Sequence, residues 1–191
     1  MAEKYDILQW YEYFDKSSEK FDIKTDAKEG GSTILYPGRF YILNYKSKTD
    51  KRYNARPVIL SLGFSEKDPK SYLCIDLCVM PLKVRLKFIE TYFKWYMDQI
   101  WENINKYPDV ASADKQIPIK NFNYSIICKS AESFFIKNAI KKYKMENVTA
   151  IYSLPFLKVY KVIGKFCDEN YFINGSITDA QSHFLKNTLK K

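Results

Sequence analysis

Three short runs of apolar and aromatic residues form the centre of this sequence: Tyr36-Pro-Gly-Arg-Phe-Tyr-Ile-Leu-Asn-Tyr45, Arg56-Pro-Val-Ile-Leu-Ser-Leu62 and Tyr72-Leu-Cys-Ile-Asp-Leu-Cys-Val79. Charged turns separate these runs from one another. Short β-type runs bounded by such turns predict a small antiparallel barrel or meander. Within that class, we expect an SH3-like barrel.

A long amphipathic helix is predicted to begin directly after the third run. Pro81 precedes its first turn, where a missing N–H costs little, and Pro108 marks its end. Apolar residues recur at spacings of three and four along one stripe, which indicates a buried face; they are Leu82, Leu86, Ile89, Phe93, Tyr96, Ile100 and Ile104. Val84, Phe88, Tyr92 and Trp95 widen this stripe, so the helix should be buried on much of its circumference. The fold class is therefore α+β.

Three basic residues, Lys83, Arg85 and Lys87, lie in the first turns of this predicted helix. The helix dipole disfavours cations there by about 0.3–1 kcal/mol each. A phosphate backbone or an acidic partner surface would compensate for that cost. The alternative is that the three side chains extend into solvent.

Residues 1–33 are predicted to form an acidic, aromatic arm. Residues 1–30 carry a net charge of −3, whereas the rest of the chain carries +12. Tyr5, Leu8 and Tyr11 recur at helical spacing, and Trp10, Tyr11 and Phe14 are candidate aromatic anchors for assembly. We expect this arm to be either mobile or docked on the basic body, within one subunit or between copies.

Residues 34–107 would then hold the β-meander and the long helix, and residues 108–191 a basic lobe of helices and strands. Residues 114–165 contain ten lysines against three acidic residues. The patterns there predict a helix over 122–144, strands over 148–154 and 156–163, and a final helix over 178–189.

This sequence contains few of the residue motifs that are typical of enzymes. His183 is the single histidine, the glycines form no phosphate-binding loop, and a nuclease would need a convergent carboxylate set. Asp76, in a run of apolar residues, is expected to face solvent or a polar partner. Cys74 and Cys78 are expected on one strand face, without the spacing of a metal site. We therefore expect a non-enzymatic protein with no metal and no cofactor.

Basic residues alternate with aromatic ones at Arg39-Phe40-Tyr41, Arg52-Tyr53 and Lys141-Lys142-Tyr143-Lys144. Such alternation suits contact with a nucleic-acid backbone and stacking on bases. It also arises by chance in a chain rich in Tyr and Lys, where it would mean a solvated basic surface. The candidate residues for binding DNA or a partner protein are Arg39, Arg56, Lys83, Arg85, Lys87, Lys141 and Lys142.

The first residues, Met1-Ala-Glu-Lys-Tyr-Asp6, lack the apolar core of a signal peptide. No apolar run approaches the roughly 20 residues of a membrane span. We expect a protein made in the cytoplasm and without a membrane partner.

The order of these motifs resembles a family of small tailed-bacteriophage proteins known as DNA end protectors or head-completion (neck) proteins. The resemblance spans about residues 35–155. It rests on Tyr36-Pro-Gly-Arg-Phe-Tyr, on Arg56-Pro57, and on the run from Leu73 through Met80-Pro81 to Lys87. The sequence departs from the family pattern at Cys74, Cys78 and Leu82, where the family has glycine, histidine and proline.

This resemblance implies a non-enzymatic virion structural protein at the portal or neck, the junction of head and tail. The expected partners are other copies of the chain in a cyclic ring, neighbouring portal, neck or tail proteins, and packaged double-stranded DNA. The arm with Trp10, Tyr11 and Phe14 would dock on the next copy of the ring. The alternative is a DNA-end-binding protective protein, or another phage nucleic-acid-binding protein, that is not stably held in the particle.

Overall fold

A computed structural model describes residues 7–17, 20–29, 34–46, 54–104 and 133–172. Its strands are β1 (Lys28–Glu29), β2 (Phe40–Lys46), β3 (Asn54–Ala55), β4 (Val58–Ser65), β5 (Asp68–Asp76), β6 (Ile140–Lys144) and β7 (Val148–Leu154). Its α-helices are α1 (Ile7–Lys16), α2 (Ile23–Asp26), α3 (Leu82–Ile104), α4 (Ser133–Ala139) and α5 (Lys165–Phe172). Short 3-10 segments cover Leu77–Val79, Met145–Asn147 and Phe156–Lys161.

The strands pair into one antiparallel sheet in the order β1-β7-β2-β4-β5-β6, with the short β3 attached to β2. β2, β4, β5 and β6 follow one another as a meander, and β7 returns to pair with β2 on its other side. The predicted α+β class is confirmed. Within the described strands no ladder joins β1 to β6, so the sheet is open and the predicted SH3-like barrel is not confirmed.

Both faces of the central strands are buried, which explains why β2 and β4 read as nearly continuous apolar runs. Along β2, Phe40 and Ile42 point to one face and Tyr41 and Leu43 to the other, as the two-residue period requires. The first face packs against α3, α5 and the Phe156–Lys161 segment. The second face forms a smaller cluster of Leu35, Tyr41, Leu43, Ile59, Tyr72, Cys74, Tyr143 and Ile151.

Helix α3 confirms the predicted helix, with 23 residues from Leu82 to Ile104. At 1.5 Å per residue it is about 35 Å long. The most deeply buried apolar positions described on α3 are Val84, Phe88, Ile89 and Tyr92. Pro108, its predicted terminator, lies outside the described residues.

Two glycines with left-handed backbone conformations lie at the turn before β2 and within β4. Gly38 has a φ of 72° and Gly63 a φ of 106°, both in the left-handed region that favours glycine. Gly63 lies at a register shift between β4 and β5. A Cβ on Gly63 would be 3.3 Å from Cγ of Pro37, so the β4 backbone lies close to the Pro37-Gly38 turn.

Two predictions in the basic lobe are wrong. Residues 140–144, predicted as helix, form strand β6, because β5 offers them a complete antiparallel ladder from Ser71 to Ile75. Residues 156–161, predicted as strand, form a 3-10 segment that follows Pro155, a residue unable to donate to a sheet ladder. The predicted strand over 148–154 is confirmed as β7, while the predicted helix over 178–189 lies outside the described residues.

The three predicted segments share one sheet. Strand β1 from residues 1–33 pairs with β7 from residues 108–191, and β7 pairs with β2 from residues 34–107. Helix α1 packs on the Phe156–Lys161 segment and on α3 of the same chain. The described part of the arm is therefore docked within the subunit, one of the two alternatives expected for it.

Candidate functional site

An open groove of about 600 Å³ lies where the start of β2, the end of β7 and helix α3 meet. Two of its side chains, Tyr36 and Leu157, are 56% and 52% exposed, although both are large and largely apolar. We call this surface the aromatic groove and define it by Tyr36, Arg39, Tyr96, Pro155, Phe156 and Leu157.

A network of rings forms the floor of the aromatic groove. The ring of Phe156 packs 4.9 Å from that of Tyr96 and 5.2 Å from that of Phe93, measured between centroids. Beneath them the buried Tyr92 donates its hydroxyl hydrogen bond to the carbonyl of Gly38. This bond fixes the Pro37-Gly38 turn to α3, so the floor is held in place before any ligand arrives.

The backbone beneath Tyr36 is also fixed. The Tyr36 N–H donates to the hydroxyl of Tyr41 at 3.0 Å, and the Ser61 hydroxyl donates to the Leu35 carbonyl at 3.1 Å. Burial raises the pKa of Tyr41 above its ordinary value. Tyr36 therefore presents an exposed ring on a rigid backbone, an arrangement that limits the entropy lost on binding.

Arg39 is the charged residue among the described lining of the aromatic groove. It lies directly before β2, and its carbonyl accepts a hydrogen bond of 3.0 Å from the N–H of Ser61. Aromatic residues and arginine are the types enriched at the centres of protein interfaces. The groove therefore suits an apolar or aromatic ligand group that has a carboxylate beside it.

The basic residues predicted to bind DNA or a partner lie on several elements. Arg39 lines the aromatic groove, and the exposed Arg56 lies between β3 and β4. Lys83 and Lys87 are exposed one turn apart on α3. Lys141 and Lys142 are neighbours on β6. The structure thus brings together only Lys83 and Lys87 among the described basic candidates, because Lys141 and Lys142 point to opposite faces of β6.

Lys142 takes part in a local ion pair. Its ammonium nitrogen lies 3.0 Å from Oδ2 of Asp68. The Ser71 hydroxyl also donates to that oxygen, at 2.7 Å. The hydrogen bond from Ser71 has the larger effect and the one from Lys142 the next, and together they lower the pKa of Asp68 to about 2. Lysine on β6 also protects an edge strand from pairing with other chains, a structural alternative to a binding role.

Arg85 corrects a prediction, because its side chain is only 1% exposed. Its Nε donates to the Met80 carbonyl at 2.7 Å, and Nη1 donates to the Ile163 carbonyl at 2.6 Å. Its Nη2 pairs with the carboxylate of Asp168. These bonds tie the start of α3 to the start of α5, so Arg85 is not available to DNA or a partner in this structure.

Asp76 is likewise a structural residue, only 1% exposed. Its Oδ2 accepts from the Tyr143 hydroxyl at 2.7 Å, and its Oδ1 accepts from the Cys78 N–H at 2.9 Å. Burial raises the pKa of this carboxyl group. Asp76 therefore faces a polar partner and not solvent, which is one of the two environments expected for it. Because the strand ends at Asp76, Cys74 and Cys78 lie in the cores on opposite sides of the sheet, not on one face.

Two of the predicted assembly anchors are used within the subunit. The ring of Phe14 packs edge-on against Tyr160, with centroids 5.8 Å apart. Tyr11 lies over Gly164, where an added Cβ would be 2.9 Å from the tyrosine ring. The side chain of Trp10 lies outside what the structure describes. Sequence reasoning missed Tyr13, which is 75% exposed on α1.

Opposite charges hold the arm to the body, as the charge asymmetry of the sequence indicated. The buried Asp26 carboxylate lies 3.2 Å from the ammonium of Lys161 and 3.3 Å from that of Lys158. Despite the opposing effect of burial, hydrogen bonds from the Asp22 N–H and these two lysines lower the pKa of Asp26. The Lys161 ammonium also lies 5.5 Å from the Phe14 ring centroid, within the range of cation–π attraction.

Across the described residues, His, Cys, Asp and Glu form no group of three or more that could hold a metal ion. None of the described helices combines the length and the apolar character needed to cross a bilayer. Comparison of the chain with models of known protein families, with curated proteins and with solved structures found no match.

Proposed function

We propose that this chain is a non-enzymatic structural protein of a tailed-bacteriophage particle, located at the portal or neck and bound there to other proteins. The motif resemblance supports this setting. The observation that carries the binding role is the aromatic groove, in which exposed Tyr36 and Leu157 flank a fixed aromatic floor. Exposed apolar surface of this kind commonly marks an interaction site.

The buried charged groups support a structural role. Arg85 joins α3 to α5, Asp76 caps the turn after β5, and Asp26 holds the arm to the body. Each of these groups has intramolecular partners that account for its burial. A ligand would therefore bind at the surface of this protein and not at a buried polar centre.

The strand order also supports the SH3-like relationship as a finer proposal for the fold. The meander β2-β4-β5-β6 is followed by a 3-10 turn at Met145–Asn147 and by the return of β7 to pair with β2.

Mass spectrometry of purified particles tests the proposed function. Particles made by the phage whose genome encodes this chain should contain it in several copies each, and a high-salt wash should not remove it. An abundant host protein measured in the same preparation controls for contamination. Absence of the chain from washed particles would overturn the proposal.

A DNA-binding role is the second candidate, and the exposed pair Lys83 and Lys87 favours it. These lysines lie one turn apart at the start of α3, where the helix dipole gives them no stabilisation. If both contact phosphates, the Lys83→Glu and Lys87→Glu double variant should lower affinity for a short DNA duplex. Each lost phosphate contact should reduce the slope of log affinity against log salt by about 0.9.

A matched control for this experiment is Lys94→Glu, further along the same helix, where the lysine pairs with Glu90 at 3.2 Å. This control should change DNA binding less than the double variant does. Equal binding by wild type and double variant would remove the start of α3 as a DNA site.

A further inference from the structure

We infer that the aromatic groove receives the exposed face of helix α1 from a second copy of this chain, with Tyr13 inserted between Tyr36 and Leu157. This inference rests on the proposed function, because it names the partner of the same groove. Tyr13 takes the intermolecular role that was expected of Tyr11 and Phe14, since both of those residues already pack within the subunit.

Tyr13 is the most exposed large hydrophobic residue in the described part of the chain, at 75%. Helix α1 turns its other described aromatic residues, Tyr11 and Phe14, toward its own body. Because Tyr13 stays exposed while α1 is docked, it can fill an aromatic groove only on another molecule. A tyrosine has few rotatable bonds, so its large contact area costs little conformational entropy on binding.

The aromatic groove has the size and the chemistry for such a segment. A volume of about 600 Å³ exceeds one tyrosine side chain and leaves room for the neighbouring residues of a helical turn. The exposed rings of the groove can pack edge-to-face with the inserted ring. One cation in the described lining is too few to follow a nucleic-acid backbone, which favours a protein segment.

The charges of the two surfaces are complementary. Arg39 is the charged residue in the described groove lining, and the exposed Glu12 directly precedes Tyr13. Among the described residues, Glu12 has a weak intrahelical pair, in which Lys16 lies 3.9 Å away with both side chains mostly exposed. It can therefore exchange that partner for Arg39 of the second copy. A head-to-tail contact of this type forms a ring if its rotation closes, and a reciprocal contact forms a two-fold dimer.

Self-association of the full-length chain tests this inference, measured by sedimentation over a concentration series. Tyr13→Ala and Leu157→Lys should each raise the dissociation constant at least about tenfold, as expected for central interface residues. Both side chains are exposed, so the variants should fold, and circular dichroism checks this. Phe64→Ser is the matched control, since Phe64 is similarly exposed at the β4–β5 hairpin. It should leave the dissociation constant within about threefold.

A charge exchange identifies the paired residues. Arg39→Glu and Glu12→Arg should each weaken association, and the two together should recover at least about half of the lost affinity on a logarithmic scale. A chain that stays monomeric, that associates only when DNA is added, or that associates unchanged after Tyr13→Ala would overturn the inference. If the chain is present in particles and Tyr13→Ala still associates normally, only this inference fails. If it is absent from particles, the proposed function fails and the self-association result stands.

Discussion

Replacement of Arg85 by methionine should destabilise the fold far more than loss of one ion pair would. Methionine keeps the apolar stem of the side chain but removes every hydrogen bond from the guanidinium. Three carbonyls, those of Met80, Ile163 and Gly164, lose a donor, as does the carboxylate of Asp168. Comparison with Asp168→Asn, which removes the charge pair alone, separates the backbone bonds of Arg85 from that pair.

The backbone bonds should dominate the loss of stability. The bonds to Met80 and Ile163 are short, at 2.7 and 2.6 Å, whereas the bond to Gly164 is 3.3 Å. Leaving two buried acceptors unpaired costs about 1–3 kcal/mol each. The Asp168 side chain is 44% exposed and can take water in place of Arg85, so its pair contributes about 1 kcal/mol or less. We expect Arg85→Met to lower the free energy of unfolding by about 3–5 kcal/mol.

Urea unfolding followed by tryptophan fluorescence measures this free energy. Asp168→Asn should cost about 1 kcal/mol or less, since Asp168 is partly exposed and the bonds from Arg85 to the three carbonyls stay in place. Arg85→Lys should recover less than half of the methionine loss, because an ammonium cannot reproduce the guanidinium fork. Lys83→Met is the matched control on the exposed face of α3 and should change stability by less than about 0.5 kcal/mol.

Two results would refute this reasoning. One is an Arg85→Met variant within about 1 kcal/mol of wild type. The other is an Asp168→Asn variant as unstable as Arg85→Met, which would place the stabilisation in the ion pair. If Arg85→Met does not fold, Arg85→Lys and Asp168→Asn still decide between the two explanations.

Three further predictions concern the sheet edge, the arm and the core. The Asp68 carboxyl has a pKa of about 2 against an ordinary 3.8, so it stabilises the fold above pH 3.8 and loses that contribution as pH falls through 2. In the Lys142→Gln variant an NMR titration should show a higher pKa for Asp68, and an unchanged pKa would contradict the Lys142–Asp68 pair. Gly164→Ala should lower stability by about 1–3 kcal/mol because its Cβ meets Tyr11, and Tyr11→Ala in the same chain should make the combined urea-unfolding loss less than additive. Burial raises the pKa of the Cys74 thiol, so a thiol reagent at pH 8 should label it at least about a hundredfold more slowly in the native protein than in urea; equal rates would mean that this face is open.

Local sequence patterns were sufficient to predict the elements whose apolar residues follow a regular period or are bounded by clear turns. Helix α3 was predictable because its apolar residues keep the 3.6-residue period, and β2 and β4 because charged turns bound them. Strand β6 was not predictable in this way, since its lysines and Ile140 fit a helical pattern equally well. Its pairing with β5, some 70 residues earlier in the chain, decides the outcome.

The sequence did contain a signal for the burial of Arg85, but the charge of the residue favoured an exposed position instead. Arg85 lies three and four residues before Phe88 and Ile89, on the face of α3 that is most deeply buried. Helical spacing alone therefore placed this cation against the core. No such signal existed for the aromatic groove, because Tyr36, Tyr96 and Phe156 come from three distant segments.

The position of β7 between β1 and β2 has a consequence for synthesis of the chain. Phe40 of β2 pairs with Leu154 of β7, more than 100 residues later. At about 5–20 residues per second, a ribosome needs roughly 5–20 s to supply that partner. During this interval the meander β2-β4-β5 has an unpaired β2 edge made of apolar residues. The nascent chain should therefore be most prone to aggregation before β7 emerges, and chains released before residue 154 should be found in inclusion bodies or bound to chaperones.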